Sequence, residues 1–165
     1  MAIVNTHKAW YTADALAGPY DGHPTRARDW NLESMGNTDL GEPLRFPCDG
    51  SVVYAANAGG KHGNVVSFVT VINGVLWNLH WKHLQRLDVK PWAQVKQGQS
   101  MGTIGNAGGQ YAGAHLHEEA VRGAITGPTQ DWRDPAFEYV DPAEFYKMHG
   151  VDPALVDRLT RYDGR

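Results

Sequence analysis

His115 and His117 stand two residues apart in Gly113-Ala-His-Leu-His-Glu-Glu119, and the stretch from His115 to Val121 reads as a β-strand. Side chains at i and i+2 of a strand share one face, roughly 6–7 Å apart. One ring of such a pair can hold a metal while the other faces whatever the metal binds. Imidazole suits both tasks, because neutral it ligates metals and near neutral pH it moves protons. The pair alone is weak evidence, since hydrogen-bonded and solvated histidines are common. The chain also carries His7, His23, His62, His80, His83 and His149, so context must separate a site from background.

The elements that would position these residues are mostly strands. Ser51–Ala56 and Asn64–Val71 are rich in β-branched and aromatic residues. Asn73-Gly74 between apolar runs is a strong hairpin signal. Val75-Leu-Trp-Asn-Leu-His-Trp-Lys-His83 alternates, placing Val75, Trp77, Leu79 and Trp81 on one face with His83. His80 then falls on the opposite side and reads as structural or solvated. Gln99–Gly105 supplies a further strand. Residues 1–45 read as an irregular arm rich in Gly, Pro, Asp, Asn and Thr, and long loops of this kind are often functional. Asp141-Pro-Ala-Glu144 has an N-cap Asp, Pro at the first helical position and Glu at the third. Asp152-Pro-Ala-Leu155 repeats most of it. Two short helices are expected, near 142–148 and 153–161. The 165 residues make one domain, 1–165: an arm (1–45), a β core (46–125) and a loop with a helical tail (126–165).

Bulk composition limits the partners. A net charge of -3 with pI near 6.2 and no basic stripe excludes nucleic acid. Cys48 is the one cysteine, so neither an internal disulfide nor a thiolate metal cage can form. No apolar run approaches the roughly 20 residues of a membrane span. The start, Met1-Ala-Ile-Val-Asn-Thr-His-Lys, lacks the pattern of a signal peptide.

Five ordered blocks carry a family resemblance: Arg28-Asp-Trp-Asn31, Asp39-Leu-Gly-Glu-Pro43, Trp81-Lys-His-Leu84, Val95-Lys-Gln-Gly-Gln-Ser-Met-Gly102 and His115-Leu-His117. They resemble the D-W-N, D-x-G-x-P-V, aromatic-x-His-Leu, V-x-x-G-Q-x-I-G and H-x-H elements of the lysostaphin-type, LytM-like zinc endopeptidases. The match runs over about residues 20–121. The resemblance implies a mainly β fold, an antiparallel β-sandwich or open barrel like the duplicated hybrid motif. It implies a Zn2+-dependent endopeptidase acting on peptidoglycan peptides of the bacterial cell wall, with no membrane span and with a monomer expected. Metal ligands carried over from the family are Asp29, His117 and a first histidine. Its two non-ligand histidines, which polarise water or stabilise the oxyanion, match His83 and His115. Three N/O ligands leave a zinc position open for catalysis.

The first ligand departs from the pattern. The family places it four residues before the Asp, where this chain has Thr25; His23, six residues before Asp29, is assigned instead. The alternative is a catalytically degenerate relative that binds wall peptides or regulates another hydrolase. Trp92 stands where the family carries Gly, so that turn is rebuilt. Glu118 stands where it carries Phe, on the face opposite the histidines, and an outward position would make its charge tolerable. His62, in a glycine loop, could line the cleft. A phage lysin, a virion-borne hydrolase or a secreted mature form fits this organisation.

Overall fold

A computed structural model of the chain describes residues 11–12, 26–31, 37–108 and 113–151. The strands are β1 (Tyr11–Thr12), β2 (Ala27–Asn31), β3 (Pro43–Arg45), β4 (Gly50–Asn57), β5 (Asn64–Ile72), β6 (Val75–Leu84), β7 (Arg86–Leu87), β8 (Gln94–Val95), β9 (Ser100–Thr103), β10 (Leu116–Arg122) and β11 (Glu138–Val140). Among the described residues one α-helix, α1 (Pro142–Met148), follows. All the pairings are antiparallel. The main sheet runs β1-β2-β10-β6-β5-β4-β8, with β11 beside β10, and a small sheet runs β3-β9-β7.

The β5–β6 hairpin follows from its turn. Asn73 and Gly74 both take positive φ, 50° and 79°, the backbone of a type I′ turn, whose twist matches that of the strands. Ile72 therefore faces Val75, and the register runs back through Phe68 and Leu79. Strand β10 is central: β6 lines one edge, while β2 and then β11 share the other.

Period-2 alternation divides the main sheet into two faces. Trp30, Val52, Val66, Phe68, Leu79, Trp81 and Leu116 point to one side and, with Leu44, Phe46, Met101 and Ile104 from around the small sheet, form the main core. Phe46, Phe68 and Trp81 pack ring to ring at 5.2–6.0 Å. Helix α1 closes one end, Phe145 lying against Trp77 at 4.9 Å. The expected cap is present: the Asp141 carboxylate accepts from the Ala143 N–H at 2.9 Å. Arg28 donates two bonds to that same carboxylate, at 2.7 and 2.6 Å, tying the helix start to β2. The helix expected near 153–161 lies outside the described residues.

Ala27, Val121, Trp132 and Tyr139 form a second, smaller cluster on the reverse face. There Thr126 docks onto β6: its N–H donates to Asn78 and its hydroxyl meets His80 Nε2 at 2.7 Å.

Candidate functional site

Strand pairing assembles the site on that reverse face. In the β2–β10 register Asp29 lies opposite His117, and in the β10–β6 register His117 lies opposite Lys82. Opposed residues share a face, so Asp29, His117, Glu119 and Lys82 converge. His117 Nδ1 is 2.9 Å from Asp29 Oδ1, and its Nε2 is 2.8 Å from Glu119 Oε1. That oxygen also accepts from Lys82 Nζ at 2.5 Å. The Lys82 and Glu119 side chains are 3% and 1% exposed, so each charge depends on the other.

His83 arrives by an irregularity. Two β6 residues, Lys82 and His83, oppose one β5 residue between the Asn64–Leu84 and Val66–Trp81 pairs. His83 takes φ 68° there. Such a bulge re-aims a side chain, and this one turns His83 away from the core that receives Trp77, Leu79 and Trp81. Its ring lies 4.8 Å from that of His115 and 5.7 Å from that of His117. The expected common face of His83 and the tryptophans is thereby corrected. His80 lies on this same site face, with Lys82 and Glu119, rather than opposite His83, and it is structural as expected, fully buried and bonded to Thr126.

His115 sits just before β10, bridged to Gly105. Its Nδ1 is 3.1 Å from the Gly113 carbonyl, which can only accept; in the neutral ring Nε2 is then the unprotonated nitrogen. Nε2 is 3.9 Å from Asp29 Oδ1. The Ala107 N–H donates to the His83 carbonyl, so the residues around Gly105 and Ala107 tie the backbones of His83 and His115 together. Gly63 (φ 61°) lets the neighbouring loop in, since a Cβ there would lie 1.9 Å from the Ala107 oxygen.

Electrostatics separate the rings. Burial disfavours a charged His117, but its bonds to Asp29 and Glu119 outweigh that and hold its pKa up to about 9. Burial works against the Glu119 carboxylate as well, yet His117 and Lys82 bring it down to about 2. For His83, burial, then the neighbouring His117 and His115, push the pKa down to about 3. His62 is lowered by burial first and then by the charges of Lys82 and Lys61.

The donor set suits a borderline cation. Two ligands of a tetrahedral zinc at ~2.0–2.2 Å lie about 3.3 Å apart, so Asp29 Oδ1 and His117 Nδ1, now hydrogen-bonded, become such a pair by parting a few tenths of an ångström. Glu119 then holds the far nitrogen, as carboxylates commonly do behind metal-bound histidines. Among the described residues no group of three or more His, Cys, Asp or Glu is arranged to hold a metal. His23, assigned as the third ligand, lies outside the described residues, as does Thr25.

Sequence reasoning missed Glu119 and Lys82. The i+2 spacing of Glu119 from His117 was a usable signal; Lys82 needed the register. Glu118 is a correction: it points inward, wholly buried, and accepts from Trp30 Nε1, Trp81 Nε1 and Tyr146 OH at 2.7–2.9 Å.

Comparison with known proteins agrees with this architecture. The chain is 32% identical over 103 residues to the peptidoglycan DD-endopeptidase ShyA of Vibrio cholerae, covering 60% of this chain and 22% of that protein. It is 39% identical over 69 residues to the cell division protein DipM of Caulobacter vibrioides, covering 42% and 11%. It therefore spans less than a quarter of the length of these curated relatives. The structure of lysostaphin from Staphylococcus simulans superposes with a TM-score of 0.61 at 24% identity, over 87% of this chain and 50% of that one. The model of peptidase family M23 matches residues 35–128, more than half of the sequence, and the chain belongs to that family.

Proposed function

We propose that this chain is a zinc-dependent endopeptidase that hydrolyses peptide bonds of bacterial peptidoglycan, in the stem peptide or the cross-bridge. The observation that carries the reading is the Asp29–His117 donor pair with His83 and His115 packed beside it. The activity named for ShyA supports the choice of substrate.

Asp29 and His117, with His23 as third ligand, would hold one Zn2+, which supplies Lewis-acid polarisation of the scissile carbonyl and acidifies water. Glu119 orients His117 by accepting a hydrogen bond from its Nε2–H, and Lys82 balances the Glu119 charge. His115 presents Nε2 toward the metal pair and can take a proton from the attacking water. His83, kept neutral by burial, would donate a hydrogen bond to the developing oxyanion. A wall-peptide-binding module that has lost catalysis is the second reading, favoured by Thr25 at the family's first ligand position.

Metal content and lysis of purified cell walls, before and after chelation, separate the two. About one zinc per chain, with activity lost to chelator and restored by zinc, is expected. His117→Ala should lose metal and activity together; His115→Ala should lose activity and keep metal. Activity surviving in both variants would sink the assignment.

A further inference from the structure

Behind the metal pair, on the other face of the same strands, lies a polar node in an aromatic core. The Glu118 carboxylate is wholly buried. Oε2 accepts from Trp30 Nε1 at 2.7 Å, and Oε1 accepts from Trp81 Nε1 at 2.8 Å and from Tyr146 OH at 2.9 Å. The donors come from β2, β6 and α1, and each is at most 2% exposed. Buried donors need acceptors, and this carboxylate serves all three.

Each strand member of the node adjoins a site residue. Trp30 follows Asp29, Glu118 follows His117, and Trp81 precedes Lys82. Consecutive residues of a strand point to opposite faces, so the node is the reverse side of the site. Across the β2–β10 pair His117 bonds Asp29 in front and Trp30 bonds Glu118 behind. A metal entering between Asp29 and His117 must part them, and the reverse bond then works with the β2–β10 backbone ladder to limit how far. A phenylalanine at 118, as the family resemblance would have it, offers packing but no such tie.

We infer that Glu118 is a positioning residue for the metal centre, clamping β2 to β10 through Trp30 so that Asp29 and His117 are presented to one ion at a fixed separation. The inference rests on the zinc reading above. Through Tyr146 the same carboxylate joins α1 to the clamp, so the tail helix belongs to the scaffold of the site.

Glu118→Gln tests one bond at a time. The amide keeps its oxygen toward Trp81 and Tyr146, and its NH2 group then faces the Trp30 N–H, where two donors cannot bond. Trp30→Phe cuts the same link from the other side and keeps a ring against Tyr146 (centroids 6.4 Å apart). Zinc dissociation constants are measured by competition with a chromophoric chelator for the wild type, both single variants and the double variant, alongside unfolding of each zinc-free protein. Each single variant is expected to bind zinc about tenfold more weakly, the scale of outer-shell effects. The double variant should be no weaker than the singles, because the link is already cut. Unchanged zinc affinity with lowered zinc-free stability would make Glu118 merely structural and overturn the inference. If Glu118→Gln fails to fold, Trp30→Phe alone decides. A wild-type chain that binds no zinc overturns the proposed function, and this inference with it.

Discussion

Glu119 concentrates the demands on single residues at the site. One carboxylate oxygen accepts from both His117 Nε2 and Lys82 Nζ, with almost no water access. Removing one partner of a buried pair strands the other charge, which costs about 3–5 kcal/mol. Glu119→Gln should therefore destabilise the zinc-free chain on that scale. It should also weaken zinc binding about 10–100-fold, since His117 loses the group that orients it. Lys82→Met in that background removes the stranded ammonium and should recover much of the stability but none of the zinc affinity. Denaturant unfolding and chelator competition read the two effects separately. Stability and affinity recovering together would show that Glu119 acts on the metal only through folding.

At the scale of elements, the turn at Trp92 departs most from local preference. Trp92 takes φ 69° and is 78% exposed, while its N–H still donates to the Val52 carbonyl at 2.7 Å. A side chain in the left-handed region costs roughly 1–2 kcal/mol, and little burial offsets it here. Trp92→Gly keeps the backbone bond and relieves the strain. Net of the greater freedom of an unfolded glycine, it should stabilise the chain by about 0.5–1 kcal/mol, measured by denaturant midpoint. A loss of stability would mean that the indole packs in solution.

Elements also show what the sequence could reveal. The Asn73-Gly74 turn, the Asp141 cap and the shared face of His115 and His117 are local, and each was legible from neighbouring residues. The bulge at His83 was not, because alternation counts residues and cannot see one inserted against its partner strand. Strand β2 was hidden for a related reason. Its five residues, Ala-Arg-Asp-Trp-Asn, carry two charges, and what makes them a strand is pairing with β10, 88 residues away at Asp29–His117. The inward turn of Glu118 follows from that register and from donors 28 to 88 residues distant; a charged residue on a strand otherwise reads as outward.

For the molecule as a whole, buried titratable groups pull the pH dependence of stability in opposite directions. His80 is fully buried and its pKa is lowered to about 4, by desolvation first. A histidine lowered from 6.5 stabilises the fold fully above pH 6.5, and that contribution is lost as pH falls toward 4. Glu118 is raised from 4.5 to about 7, again by desolvation first, against the pull of its three donors. A carboxyl raised in this way stabilises the fold fully below pH 4.5, and the contribution is lost as pH rises through 7. Between pH 4.5 and 6.5 the two slopes oppose each other, each approaching about 1.4 kcal/mol per pH unit. The variants separate what the wild-type profile sums. In zinc-free protein, His80→Gln should gain stability relative to wild type as pH falls through this window, because it keeps a partner for Thr126 and no longer titrates. Glu118→Gln should lose stability relative to wild type over the same range. Chemical denaturation at a series of pH values reads both differences. A flat difference for either variant would mean that its group is reached by water in the folded chain.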